Sequence, residues 1–159
     1  MILTLTANPT IDRVLFVRDF AMQDVVRAER ETVSPSGKGI DVSLILHELG
    51  AKTLAISLNA GLSGAMLAAL LAERGLPCHF IPAQGETRIA ALITDISQGR
   101  QSTILAPTLT AGPQQMQLMM DAVVANAAAS WGLVCAGSLP PGLPVDSWAK
   151  LLHVGSEHG

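Results

Sequence analysis

The chain has 159 residues, of which 49% are apolar, 14% charged and 3% aromatic. That suffices for one sizeable core built from Leu, Ile, Val, Ala and Met, and so low a charge content points to surface meant for a partner or for further chain. A net charge of −3 excludes a basic field for nucleic acid and a basic membrane-binding face.

Residues Ile2 to Thr6 predict a first buried strand, stopped by Asn8-Pro9. Asp12 to Val17 and Val25 to Val33 alternate polar and apolar residues, which predicts two half-exposed antiparallel strands with Arg27 on the second. Ser36-Gly37-Lys38-Gly39-Ile40-Asp41 then places two glycines around a lysine at the start of a helix. Glycine lets the backbone approach a bound group, and a helix N-terminus offers unpaired N–H groups, so the stretch reads as a loop for hydroxyl or phosphate oxygens or as an ordinary turn. It is not a Walker loop, because Gly39 follows Lys38 where a serine or threonine belongs. Nor is it a dinucleotide fingerprint, since Val42 holds the place of the third glycine. The following helix places Ile40, Leu44, Ile45 and Leu49 on one face and stops at Gly50.

Lys52 to Leu58 predicts a buried strand, Gly64 to Arg74 a helix with Leu67, Leu70 and Leu71 inward, and Leu76 to Ile81 another strand. A second exposed pair follows, Thr87 to Asp95 and Gln101 to Ala106, turned at Ser97-Gln98-Gly99. Thr110-Ala111-Gly112-Pro113 opens a helix to about Ser130, whose Met116, Met119, Met120 and Val123 read as core. Leu133 to Ala136 is a short strand, 137–142 a rigid loop, and Val145 to Val154 a last helix. Alternating helices and strands predict an α/β fold, a parallel sheet covered by helices, with the exposed pairs forming a small flap. Ligands in such folds bind at the carboxyl ends of the strands, and Asp12, the glycine loop, Arg88 and Ser138 all fall at strand ends or on the flap.

The long uncharged stretches 53–72 and 122–145 are interrupted by Asn, Ser, Gly or Pro, so no membrane span is expected. The start lacks a basic segment and a cleavage site, which predicts no signal peptide and a cytoplasmic protein. Cys78 and Cys135 are isolated and read as reduced core thiols, and the four histidines lack metal-ligand spacing.

Four stretches carry a resemblance: Thr6-Ala7-Asn8-Pro9-Thr10-Ile11-Asp12, Ser36-Gly37-Lys38-Gly39-Ile40-Asp41, Gly85-Glu86-Thr87-Arg88-Ile89 and Ala136-Gly137-Ser138-Leu139-Pro140-Pro141-Gly142. In order and spacing they resemble the phosphofructokinase B family of sugar kinases, closest to its 1-phosphofructokinase and tagatose-6-phosphate kinase branch. The resemblance implies a ribokinase-like three-layer fold, a parallel sheet with helices on both faces plus a β lid. Residues 1–159 are then the N-terminal part of one sugar-kinase domain, with flap strands near 12–33 and 87–106. It implies ATP-dependent phosphorylation of a ketohexose phosphate: fructose 1-phosphate, fructose 6-phosphate or tagatose 6-phosphate. Asp12 would accept sugar hydroxyls, Gly37 and Gly39 would let the backbone close, and Lys38 would add a point charge. Arg88 would hold the phosphate with a planar guanidinium, Ser138 would donate to the same group, and Arg27 would assist.

The family pattern has glycine and asparagine where this chain has Ser36 and Asp41, and an Asn-Glu-Pro-Gly-like segment where it has Leu105-Ala106-Pro107-Thr108-Leu109. Asp41 keeps an acceptor and loses an amide donor. The resemblance covers only the first half of the family's length. Its catalytic base, in a Gly-Ala-Gly-Asp-type motif, and most of the ATP and Mg2+ site are expected in the half this sequence does not contain, so the chain alone is expected to be inactive. The flap is expected to pair with that of a second subunit. The alternative is a sugar-phosphate-binding or dimerising module without catalysis.

Overall fold

The computed structural model describes residues 1–22 and 25–158. Strand β1 (Ile2–Thr6) is buried at every position and lies between β10 (Gly132–Cys135) and β4 (Thr53–Asn59), with β5 (Cys78–Pro82) beyond β4, all parallel. Unbroken apolar and threonine runs suit such strands because both faces are covered. On one face Leu5, Ile56, Leu58 and Ile81 pack with Met116, Met119 and Val123 of helix α3 (Pro113–Ala127) and Leu151 of α4 (Ser147–His158). On the other, Ala55 packs with Ile40 of α1 (Lys38–Glu48) and with Leu67 and Leu71 of α2 (Gly61–Glu73). Adjacent residues Ala55 and Ile56 thus serve opposite faces, as the alternation of a strand requires.

The exposed segments build a second sheet, in the order β3 (Arg30–Ser36), β2 (Thr10–Val17), β7 (Arg88–Asp95), β8 (Arg100–Ile104). β2 is antiparallel to β3 and β7 to β8, as expected for two flap pairs. The pairs are fused by a parallel contact in which Thr10 lies opposite Arg88 and Asp12 opposite Ala90. A two-residue antiparallel pair, β6 (Gln84–Gly85) with β9 (Leu109–Thr110), ties the flap's exit to its entry and has no periodic signature in the sequence.

Two expectations are corrected. The strand predicted over Val25 to Val33 is displaced to Arg30–Ser36, so Arg27 lies before it and is exposed. Strand pairing begins where β2 supplies partners: Arg30 sits opposite Phe16, its guanidinium 3.8 Å from the ring centroid, and the Glu29 N–H donates to the Phe16 carbonyl at 2.8 Å. Part of that predicted stretch adjoins residues 23 and 24, which lie outside the described residues.

Helix α1 does not bury Ile45 and Leu49, which are 56% and 77% exposed; it turns Gly39, Ile40 and Ser43 to the sheet instead. The Ser43 hydroxyl lies 2.8 Å from Thr4 Oγ1 and 2.7 Å from Thr53 Oγ1, and Thr53 Oγ1 donates to the Ile2 carbonyl. This buried hydroxyl chain satisfies its own members and holds the helix close to β1 and β4. Cys78 and Cys135 are free, half-buried and on opposite edges of the sheet; burial pushes both thiols up to about 11. No helix among the described residues is long and apolar enough to cross a membrane.

Candidate functional site

The connection from β1 to β2, Ala7 to Pro9, leaves the carboxyl end of the main sheet and is where the predicted residues meet. Asn8 Nδ2 donates to Ser138 Oγ at 3.2 Å, and Arg88 Nη2 donates to the Asn8 carbonyl at 3.2 Å. Thr10, opposite both Arg88 and Ser36, donates to the Arg88 carbonyl at 3.3 Å. The Arg88 guanidinium is therefore held at one edge. Its Nε is buried without a hydrogen-bond partner among the described residues. A buried donor lacking an acceptor costs free energy, and a ligand oxygen would relieve it.

The glycine loop faces the same place. Gly37 adopts φ 136°, a backbone conformation for which glycine is suited, and a side chain there would meet Thr6 and the Pro9 backbone. A Cβ on Gly39 would stand 2.5 Å from the Leu5 carbonyl oxygen, so the absence of one seats α1 directly on β1. Thr6 Oγ1 accepts the Ile40 N–H at 2.9 Å. Among the described residues the N–H groups of Lys38 and Gly39 have no acceptor, and the positive end of the α1 dipole points outward through them. Gly137, which precedes Ser138, has φ 93°, and a Cβ there would come within 3.5 Å of the stem of the exposed Lys38. The Gly137 carbonyl accepts the indole N–H of Trp148 at 3.1 Å.

Asp12 is half-buried on β2, and its charge is felt by Asp41 in the first turn of α1. Burial raises the Asp41 pKa above the ordinary value; the neighbouring Asp12 adds to this, while the Gly37 N–H, the Ser36 hydroxyl and the Lys38 charge oppose it. The two positions that depart from the family pattern, 36 and 41, thus act on one carboxylate. Asp12, Gly37, Lys38, Gly39, Asp41, Arg88 and Ser138 are brought to one region. Arg27 is not: it lies with Arg18 and Asp19 beside a groove at the far end of the lid. Asn8 was absent from the predicted site, although it stands inside the first motif; its bonding to Ser138 and Arg88 exists only in the folded chain.

The arrangement has a positive helix end, an unpaired guanidinium donor and hydroxyl acceptors at the carboxyl ends of parallel strands beneath a β lid. It defines an α/β domain whose strand ends and helix N-terminus present donors of the kind that suit a polar, anionic group. The family model for pfkB carbohydrate kinases matches residues 5–159, and the chain belongs to that family. It is 31% identical over 156 residues to the 1-phosphofructokinase of Bacillus subtilis, covering 95% of this chain and 48% of that one. Phosphofructokinase-2 from Escherichia coli, solved in complex with fructose-6-phosphate, superposes with a TM-score of 0.90 at 26% identity, covering 99% of this chain and 52% of its own. A possible 1-phosphofructokinase from Thermotoga maritima gives a TM-score of 0.92 at 28% identity, covering all of this chain and 51% of the other. The chain spans about half the length of the curated relatives it matches. The ribokinase-like three-layer fold with a β lid is thereby established for the part present.

Proposed function

We propose that the protein transfers a phosphoryl group from ATP to a ketohexose phosphate, and that residues 1–159 form the acceptor-binding side of its kinase domain. The observation that carries this reading is the buried, unpartnered Nε of Arg88, whose guanidinium also bonds the carbonyl of Asn8, the residue that bonds Ser138. Arg88 and Ser138 bind the phosphate already on the sugar, with Lys38 as a flanking charge. Asp12 and Asp41 accept sugar hydroxyls, and Gly37 and Gly39 admit the ligand to the helix end.

The lid's part is to cover the sugar and exclude water, because the acceptor alcohol competes with water for the phosphoryl group. β8, exposed along its length, and β3 are the lid's edge strands, which supports pairing with a second copy. Phosphofructokinase-2 from Escherichia coli has a tetrameric inhibited form. ATP would supply the group transferred and Mg2+ would neutralise its charge. The residues present do not make a holder for that metal ion: among those described, no three His, Cys, Asp or Glu side chains gather as ligands. Deprotonation of the acceptor is assigned, by family resemblance, to an aspartate of a Gly-Ala-Gly-Asp-type motif outside residues 1–159.

Calorimetry of the chain with fructose 1-phosphate, fructose 6-phosphate and tagatose 6-phosphate should show binding that is lost when the phosphate is removed from the sugar. Failure to bind any of the three would overturn the acceptor site. Sugar-dependent ADP formation by the 159-residue chain would overturn the division of labour and, with it, the second reading of a binding module without catalysis.

A further inference from the structure

Arg88 is the first residue of β7, and the two residues before it are fastened to a part of the chain far away in sequence. Both carboxylate oxygens of Glu86 lie on the N-terminus of α2: Oε1 accepts the Leu62 N–H at 3.2 Å, and Oε2 accepts the Ser63 N–H at 3.0 Å and the Ser63 hydroxyl at 2.6 Å. Gly61 (φ 66°) makes room, since the Glu86 carboxylate occupies the place a Cβ there would take. Thr87 is 1% exposed; its N–H donates to the Ala60 carbonyl at 2.8 Å. Its hydroxyl accepts the Ala60 N–H at 3.1 Å and donates to Asn59 Oδ1 at 3.1 Å. From the other side the Glu86 N–H donates to the Thr108 carbonyl, and the Thr108 hydroxyl to the Glu86 carbonyl.

We propose that Glu86 and Thr87 are positioning residues: they bolt the start of β7 to the N-terminus of α2 and so fix the Arg88 guanidinium against Asn8. The strap joins the lid to the end of β4, one strand away from β1, where Asn8 emerges. Without it the start of β7 would be held, among the described residues, by its ladder with β2 and by the Arg88 bond to the Asn8 carbonyl. Neither Glu86 nor Thr87 needs to touch the ligand, because a bidentate guanidinium contact is lost by small misplacement. The inference draws its functional weight from the reading of Arg88 as the phosphate ligand.

The Arg88 Nε–H signal in a 15N-resolved proton spectrum of the unliganded chain, assigned by its loss in Arg88→Met, tests positioning without any sugar. It should move in Glu86→Gln and Thr87→Val and return in Thr87→Ser, while the main-chain amides of β1 and β4 stay in place. An unmoved signal in Glu86→Gln and Thr87→Val overturns the proposal. For fructose 6-phosphate measured by calorimetry, Glu86→Gln should weaken binding about tenfold in the parent and by less than about twofold on top of Arg88→Met, as coupled residues do. An equal loss in both backgrounds also overturns it. If Arg88→Met itself leaves affinity unchanged, the substrate reading falls, and the spectrum still decides the strap.

Discussion

The two sheets of this protein obey opposite rules. Every residue of β1 is buried, and Leu5 is wholly inaccessible; every residue of β8 is exposed, Ile104 by 58%. The main sheet is insulated by helices on both faces, so its strands read as continuous apolar runs and its stability comes from packing. The lid is held by its own ladders and by clasps at its ends: Asp95 accepts from Phe20 N–H and from Ser97 at its tip, and Glu86 grips α2 at its root. The candidate site lies on the seam, with Gly37, Gly39 and Ser138 on the insulated side and Asp12 and Arg88 on the exposed one. The residues proposed to bind are thus divided between a rigid body and a cover.

The sharpest way to break this division is Gly39→Ala. Its methyl group would press on the Leu5 carbonyl and on Thr6 Oγ1 at 2.5 and 2.6 Å, and backbone cannot yield as a side-chain tip can. A loss of about 3–5 kcal/mol is expected in urea unfolding, with loss of phosphosugar binding, because helix α1 must lift off β1. A tolerated alanine would mean that α1 is not seated as described. Next comes a matched pair. Leu5→Ala removes a wholly buried side chain from the main core and should cost about 2–5 kcal/mol. Leu92→Ala, half-buried on β7, should cost under about 1.5 kcal/mol and act on the lid alone. Equal losses would show that the lid and the main sheet unfold as one.

The same division explains what could be read from the chain alone. The run Ile2 to Thr6 and the helices after it are legible because an insulated sheet writes an unbroken signal, and the Ser97-Gln98-Gly99 turn writes its own. The face of α1 is not, because Ile45 and Leu49 outweigh Gly39 and Ser43 by hydropathy, while close approach and the hydroxyl chain to Thr4 and Thr53 decide the packing. The start of β3 is misplaced because alternation continues upstream of Arg30, where pairing with β2 stops after the Glu29 N–H bond to Phe16. For the site, glycines and charged residues in four motifs mark the region. Asn8 and the Glu86–Thr87 strap are illegible, since each acts through residues distant in sequence.

Acid should separate the halves more gently. Glu86 is held below its ordinary pKa of 4.5 by hydrogen bonds from the Ser63 hydroxyl and the Ser63 and Leu62 N–H groups. Asp95 is held below 3.8 by the Ser97 hydroxyl and by N–H groups of Phe20, Ser97 and Gln98. A depressed folded pKa contributes stability that is complete above the unfolded value and is lost as pH falls through the folded one. Asp41, raised by burial, works in the other direction: its contribution is greatest in acid and declines as pH rises through its raised pKa. Hydrogen exchange, corrected for its intrinsic pH dependence, should therefore show the amides of Phe20, Leu62, Ser63 and Ser97 losing protection below pH 4. Those of β1 should remain protected over the same range. Parallel loss in both sheets would contradict the separation.

The counterpart of the largest effect, with no change expected in the main sheet, lies in a turn of the lid. Gly99 sits in the β7–β8 turn at φ 62°, and a Cβ there would meet nothing within 4 Å. Gly99→Ala therefore meets no steric barrier of the kind at Gly39, and its cost is only the left-handed backbone, about 1–2 kcal/mol. Because the turn belongs to the lid, that cost should fall on the lid's opening: faster exchange at Asp95 to Ile104, with the urea midpoint of the main sheet unchanged. A shifted midpoint with unchanged local exchange would place the turn's strain in global unfolding and make the cover part of the core.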